Sequence, residues 1–268
     1  MENKFRSFEH SNPEFGTKNL SFITVKSNNL RGRGDICIYI PENCPDNVSV
    51  TILLHGVYGS AWSWALSSGV HEQVDIAIAA GEIQPMILLM PSDGMWGDGS
   101  GYLNQGEIDF EKWIIEDVIQ AARQFCPEFI SDNSQFFIAG LSMGGYGAIR
   151  LGSRHPKIFS AFSGLSSITS IPEFSFFVEE DLKLYKIDTE LALIDSLVAN
   201  KHTLVPFRFD CGKEDLLIDY NRKLHAQLQE TGIDHIYEEF EGGHSWDYWK
   251  NNIMKTILFF NLHTKTNF

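Results

Sequence analysis

The 268-residue chain is predicted to be an α/β protein, with a mostly parallel central sheet covered by helices on both faces. Three observations carry the prediction. Short runs rich in β-branched and aromatic residues alternate with longer segments of helical period. One junction, IAGLSMGGYGAIR from Ile138 to Arg150, passes from an apolar run into a helix through glycine. Hydrophobic residues make up 43% and charged residues 21%, the balance of a globular protein large enough to bury a substantial core.

Taken in order, the expected strands are Leu20–Val25, Ile36–Ile40, Val50–Leu54, Met86–Met90, Gln135–Ala139, Ala161–Ser163, Val205–Cys211 and Ile236–Phe240. The expected helices are Phe110–Phe125, Met143–Arg154, Thr189–Ala199, Asp219–Thr231 and Trp246–Leu262. No good helix separates the first two strands, so they form an antiparallel entry and the doubly wound part begins at Val50. Between Gly164 and Leu204 the strand rhythm lapses, and IPEFSFFVEEDLKLYKID mixes apolar and acidic residues without a clean period. The expectation is a single domain over 1–268, with 165–204 as a cap-like insertion over the sheet.

Composition excludes several roles. A formal charge of −14 repels phosphate backbones and anionic lipid, so neither nucleic acid nor membrane is an expected partner. No apolar run approaches membrane-spanning length, and MENKFRSFEHSNPEF has no apolar core of an export signal. Cys37, Cys44, Cys126 and Cys211 are scattered, which fits reduced thiols and a cytoplasmic protein. HEQVD at His71 lacks the second histidine of a zinc helix, and no other metal spacing occurs, so neither metal nor cofactor is expected. A homo-oligomer stays open.

The glycines around Ser142 answer a geometric demand. A residue at a sharp corner between a buried strand and a helix is strained, and the residues two before and two after it, Gly140 and Gly144, must lack bulk. This is the G-x-S-x-G pattern, which lifts the serine hydroxyl above the strand ends beside a helix N-terminus. The alternative is a glycine-rich helix packed closely on a sheet.

A serine hydroxyl needs a base to remove its proton and an acid to orient that base. Of the nine histidines, His244 in EGGHSWDYW follows a late strand and precedes a helix that Ser245 can cap. His55 precedes the serine in the chain and more naturally shapes the loop after Val50–Leu54. For the acid, Asp215 lies on the turn after Gly212, whereas Asp210 sits within its strand and Asp219 suits a helix N-cap and is the substitute. The order Ser142, Asp215, His244 is that of the α/β-hydrolase fold. The backbone N–H groups of Met143 and Val57 are the expected oxyanion donors.

LLHGVYGSAWSW, MPSDGMWGDGSGYL, FEKWIIEDVIQ, IAGLSMGGYGAIRLGSRHPKIFSAFSG, CGKEDLLIDYNRKLHAQL and YEEFEGGHSWDYW together resemble the esterase D group of α/β-hydrolases, which includes S-formylglutathione hydrolases, short-chain, feruloyl and siderophore-type esterases, and mycolyltransferases. The resemblance runs from about Val50 to the C-terminus. It implies Ser142 as nucleophile, His244 as base, Asp215 as acid and Val57 and Met143 as oxyanion donors. The loop reads HGVYG, which departs from the S-formylglutathione hydrolase branch.

The expected activity is serine carboxylic-ester hydrolysis of small or short-chain acyl or aryl esters through an acyl-enzyme. Trp62, Trp96 and Phe176 are the expected substrate-binding residues, drawn from aromatics that also include Trp64, Phe174 and Phe177 near strand ends or in the insertion. Competing readings are an acyltransferase with the same three residues, an S-formylglutathione-type thioesterase, and a non-catalytic hydrolase-like binding protein.

Overall fold

Strands β1 (Phe8–His10), β2 (Leu20–Ser27), β3 (Gly32–Tyr39), β4 (Ser49–Leu54), β5 (Met86–Pro91), β6 (Phe136–Leu141), β7 (Phe159–Leu165), β8 (Phe207–Gly212) and β9 (Ile236–Phe240) form one sheet in the computed structural model. The structure describes residues 5–17, 19–185 and 192–265. Strand order is β1-β2-β3-β5-β4-β6-β7-β8-β9. The first three strands pair antiparallel and β3 joins β5 antiparallel, while β4 onward is parallel, as the lack of an early crossover helix requires.

Burial follows from this arrangement. Every residue of β4, β5, β6 and β8 is buried, because helices cover both faces, whereas β2 alternates and the edge strand β9 stays partly exposed. Helices α1 (Val70–Ala79) and α7 (Trp246–Leu262) close one face with Val74, Ile253 and Ile257 against Leu53, Leu88 and Phe137. The other face packs Ile52, Leu54 and Ile138 under a helix made of α2 (Phe110–Lys112), a π-helical stretch Trp113–Val118 and α3 (Ile119–Phe125), and under α4 (Met143–Arg154). Short helix α5 (Leu193–Ala199) and α6 (Ile218–Thr231) complete that layer.

The differences from the sequence expectation have local causes. Helix α1 adds to the expected elements: Val70, Val74 and Ala77 are buried at helical spacing while Ile76 is exposed. β8 begins at Phe207 rather than Val205, since Pro206 has no N–H to give a ladder. β6 and β7 run further toward their carboxyl ends than expected, reaching Leu141 and Leu165, which brings the sheet up to Ser142 itself. Asp219 is not the N-cap of α6; Leu217 holds that place and Asp219 lies in the first turn. The expected Thr189–Ala199 helix begins outside the described residues, and its described part is α5.

Between β7 and β8 the chain makes 3₁₀ turns at Ile171–Phe176 and Leu182–Leu184 before α5. This segment is clasped to the loop after β5. The N–H of Glu179 donates to Asp98 (2.8 Å), the N–H of Asp98 donates to Glu180 (3.0 Å), and the Tyr185 hydroxyl donates to the Gly99 carbonyl (2.7 Å).

Candidate active site

All three polar residues singled out in sequence lie just past the carboxyl ends of parallel strands, where loops can converge over the sheet. Ser142 follows β6 with φ 53 and ψ −118, a left-handed conformation that side chains other than glycine rarely adopt. The flanking glycines make the corner fit. A Cβ at Gly144 would lie 2.3 Å from the Leu54 carbonyl oxygen, and one at Gly140 would lie 2.2 Å from that of Gly144. The strain is held by two hydrogen bonds, Ser142 N–H to the Leu165 carbonyl (2.9 Å) and Ile168 N–H to the Ser142 carbonyl (3.2 Å).

Asp215 and His244 come from two loops sewn together. Lys213 N–H donates to the Phe240 carbonyl (2.8 Å), Glu214 N–H to the Gly242 carbonyl (3.1 Å), and Gly242 N–H to the Glu214 carboxylate (2.7 Å). Buried Asp215 accepts the Leu217 N–H (2.8 Å) and faces His244 Nδ1 with both oxygens, at 3.1 and 3.0 Å. A carboxylate accepts, so Nδ1 carries the proton and the bare Nε2 accepts from the Ser142 hydroxyl at 3.0 Å. The hydroxyl proton thus already points along the path by which it would leave. Asp219 is elsewhere, exposed and beside Arg222. Asp210 is buried in a separate network with Arg208 and Tyr248.

The loop after β4 carries Val57. His55 is buried there, accepting the Asp93 N–H at Nε2 (3.1 Å) and donating from Nδ1 to the Gly56 carbonyl (2.6 Å), which fixes its neutral tautomer and shapes the turn. Gly56 presses on the serine: a Cβ there would lie 3.3 Å from that of Ser142. Val57 lines the same cleft as Ser142, and Met143 opens α4 immediately after it.

A cleft of about 500 Å³ opens over Ser142, and its walls are aromatic: Tyr58, Trp62, Phe177, Trp246 and Trp249, with Ser63 and Ser67. Trp62 lies where the sequence suggested. Two other expectations are corrected. Trp96 does not line the cleft; it packs between Phe110 and Tyr185, because the glycine-rich loop folds back onto the insertion. Phe176 does not line it either, turning outward beside Tyr220, while its neighbour Phe177 turns in and stacks on His244 with ring centroids 5.2 Å apart. Trp64 and Phe174 are core residues, the former donating its indole N–H to the Leu54 carbonyl (2.9 Å). Sequence reasoning missed Tyr58, Trp246 and Trp249 as wall residues. The signal was present in part: Trp246 and Trp249 stand three apart at the start of the helix after His244, and so share a face.

Among the described residues no cluster of metal-binding side chains occurs, and no helix is long and apolar enough to cross a membrane.

The model of a family described as "Putative esterase" matches residues 27–260. An acetyl esterase of Caldicellulosiruptor saccharolyticus is 30% identical over 264 residues, covering 86% of this chain and 94% of that protein. Among solved structures, a ferulic acid esterase superposes with a TM-score of 0.79 at 23% identity, covering 96% of this chain and 99% of the other. An S-formylglutathione hydrolase of Staphylococcus aureus superposes with a TM-score of 0.71 at 18% identity, covering 90% and 97%.

Proposed function

This chain belongs to the "Putative esterase" family of α/β-hydrolases and is a carboxylic ester hydrolase, and we propose that Ser142, His244 and Asp215 carry out its reaction on small acyl or aryl esters. The observation that carries the reading is the continuous hydrogen-bonded line from the Ser142 hydroxyl through His244 to Asp215, ending at the floor of an aromatic cleft.

The steps follow from that line. As Ser142 Oγ attacks the ester carbonyl, its proton passes to His244 Nε2, and Asp215 stabilises the imidazolium through Nδ1. The carbonyl oxygen becomes an oxyanion and is received by the N–H groups of Val57 and Met143, each worth on the order of 100-fold in rate in comparable enzymes. Collapse expels the alcohol, which takes the proton from His244 and leaves an acyl group on Ser142. A water molecule then attacks the acyl carbon and gives a proton to His244, the bond to Ser142 Oγ breaks, and Oγ takes that proton back as the acid is released.

The walls bear on the substrate. Among the described residues the cleft presents no lysine or arginine, and carboxylates of Asp98, Glu179 and Glu180 stand behind Tyr58. Neutral esters suit such walls better than a tripeptide thioester bearing carboxylates. The acetyl ester named for the relative from Caldicellulosiruptor saccharolyticus is a fitting first substrate. We also read residues 1–268 as one domain with a cap-like insertion at 165–204, acting in the cytoplasm without a cofactor.

The deciding experiment is labelling with a fluorophosphonate followed by peptide mapping, alongside hydrolysis of p-nitrophenyl acetate. The label is expected on Ser142, and Ser142→Ala is expected to fold normally and lose activity on the order of 10⁴-fold or more. More than a few per cent residual activity in the purified variant removes the assignment. An ester product appearing when an alcohol is added would recast the enzyme as an acyltransferase.

A further inference from the structure

Phe177 lies in the insertion, well away in sequence from all three polar residues, yet its ring covers the face of the His244 imidazole. The centroids are 5.2 Å apart and the planes tilt by 27°. Its backbone is tied down around that point. The Phe177 N–H donates to the Phe174 carbonyl (2.8 Å), and the Phe177 carbonyl accepts the Tyr58 hydroxyl. Two residues on, Glu179 N–H is held by Asp98. Tyr58 is the neighbour of Val57, so the insertion is linked by one hydrogen bond to the loop beside Ser142 and by one ring contact to the histidine.

We propose that Phe177 is a positioning residue for the proton transfer, holding the imidazole in line with Ser142 and favouring its protonated form through the ring face. The proposal rests on the Ser142, His244 and Asp215 reading above. A cation within about 6 Å of an aromatic centroid is attracted by the ring's electron-rich face. The imidazole is neutral before the proton moves from Ser142 Oγ to Nε2 and cationic afterwards, until it hands that proton to the departing alcohol oxygen. Attraction between ring and cation therefore appears at the step that must be stabilised and is small before it. Trp249 meets the same imidazole edge-on, with centroids 5.1 Å apart and planes at 86°, which restricts its rotation further.

The charged groups around His244 leave room for this effect. From the loop after β8, Asp215 contacts Nδ1, and Glu214 is engaged with the Gly242 N–H. From the insertion, Glu180 is engaged with the Asp98 N–H and Glu179 is exposed. Asp247 lies in the first turn of α7. The phenol of Tyr58 is spent on the Phe177 carbonyl.

The test compares full-length wild type, Phe177→Leu, Phe177→Tyr and Ser142→Ala in p-nitrophenyl acetate hydrolysis across pH, with far-UV circular dichroism to check folding. Phe177→Leu keeps an apolar wall but removes the ring. It is expected to lower kcat/KM roughly 3- to 20-fold, mainly through kcat, and to move the acid limb of kcat/KM to lower pH by about half a unit. Phe177→Tyr retains the ring face and is expected to restore both. If Leu disrupts folding, the unbranched Phe177→Met takes its place. A raised KM with unchanged kcat and an unmoved acid limb makes Phe177 merely a wall and overturns the proposal, as does a Tyr variant no better than Leu. Activity surviving in Ser142→Ala instead overturns the underlying reading.

Discussion

Two buried carboxylates five residues apart, Asp210 in β8 and Asp215 on the loop that follows, face different fates. Asp210 closes a network: Arg208 donates to one oxygen (2.8 Å), the Tyr248 hydroxyl to the other (2.7 Å), and Arg208 also donates to Thr256 and Glu238. Burial pushes the Asp210 carboxyl up even against the Arg208 guanidinium and the Tyr248 hydroxyl, so the cluster fastens α7 to the sheet without gaining a strongly favoured charge. Asp215 belongs to a line with an open end. Its oxygens hold Leu217 and His244, and the line finishes at a hydroxyl facing the cleft. Degree of burial does not separate the two. What does is whether the chain of hydrogen bonds ends inside the protein or at a place a substrate can reach.

The sharpest way to break that comparison is to remove each charge without changing shape. Asp215→Asn should leave folding nearly intact and lower kcat by up to about 10⁴-fold, because the amide favours the wrong imidazole tautomer. Asp219→Asn, changing an exposed carboxylate beside Arg222, should leave the rate within about twofold. Steady-state kinetics of the two variants, each corrected for active-site labelling, decides between the acids; a larger loss in Asp219→Asn would reverse the assignment.

Asp210→Asn should show the opposite profile. The buried Arg208 loses its fully buried charge partner but keeps the half-exposed Glu238, so unfolding should become easier by about 3 kcal/mol while the rate per folded molecule stays close to wild type. Urea unfolding read beside kinetics checks this. A catalytic loss as deep as that of Asp215→Asn, at unchanged stability, would erase the distinction between closed and open networks.

Glu111, a third carboxylate largely hidden from solvent, extends the closed type to the other face of the sheet. Burial by itself would push its carboxyl up, but His155, Arg150 and Arg154 outweigh that and hold it at about 2. A depressed value in the folded protein means the stabilisation is present above the ordinary carboxylate value of 4.5 and is lost as pH falls from there to about 2. Glu111→Gln should therefore lose up to about 2 to 3 kcal/mol at pH 6 and little near pH 2. The difference between unfolding free energies at pH 6 and pH 3 should be smaller in the variant. An unchanged difference would mean that another group carries the acid sensitivity.

Much of the site was legible because its constraints are local. A serine at a strained corner demands the small residues Gly140 and Gly144, and those letters stand in the chain. His244 and Asp215 could be singled out because loops at the carboxyl ends of late parallel strands are few, though the loop after β8 also offered Asp219, which the structure puts elsewhere, beside Arg222. The same locality explains the antiparallel entry, since two strands with little chain between them have no crossover available.

The aromatic walls were not legible in that way. Phe176 ends a short 3₁₀ turn and Phe177 caps it, so composition and spacing treat them alike, yet one turns to solvent and the other to His244. The choice depends on where the Tyr58 hydroxyl and the Asp98 carboxylate catch the insertion, residues more than seventy positions away. Trp96 was decided likewise, by the packing of Phe110 and Tyr185 around it. By itself the sequence pointed to a mostly parallel sheet from Val50 onward and singled out three polar residues that the structure brings together, because both readings rest on backbone geometry within a few positions. Tertiary structure alone decided which rings of the insertion and of the glycine-rich loop face the cleft, because a side chain's direction in an irregular segment is set by contacts with distant parts of the chain.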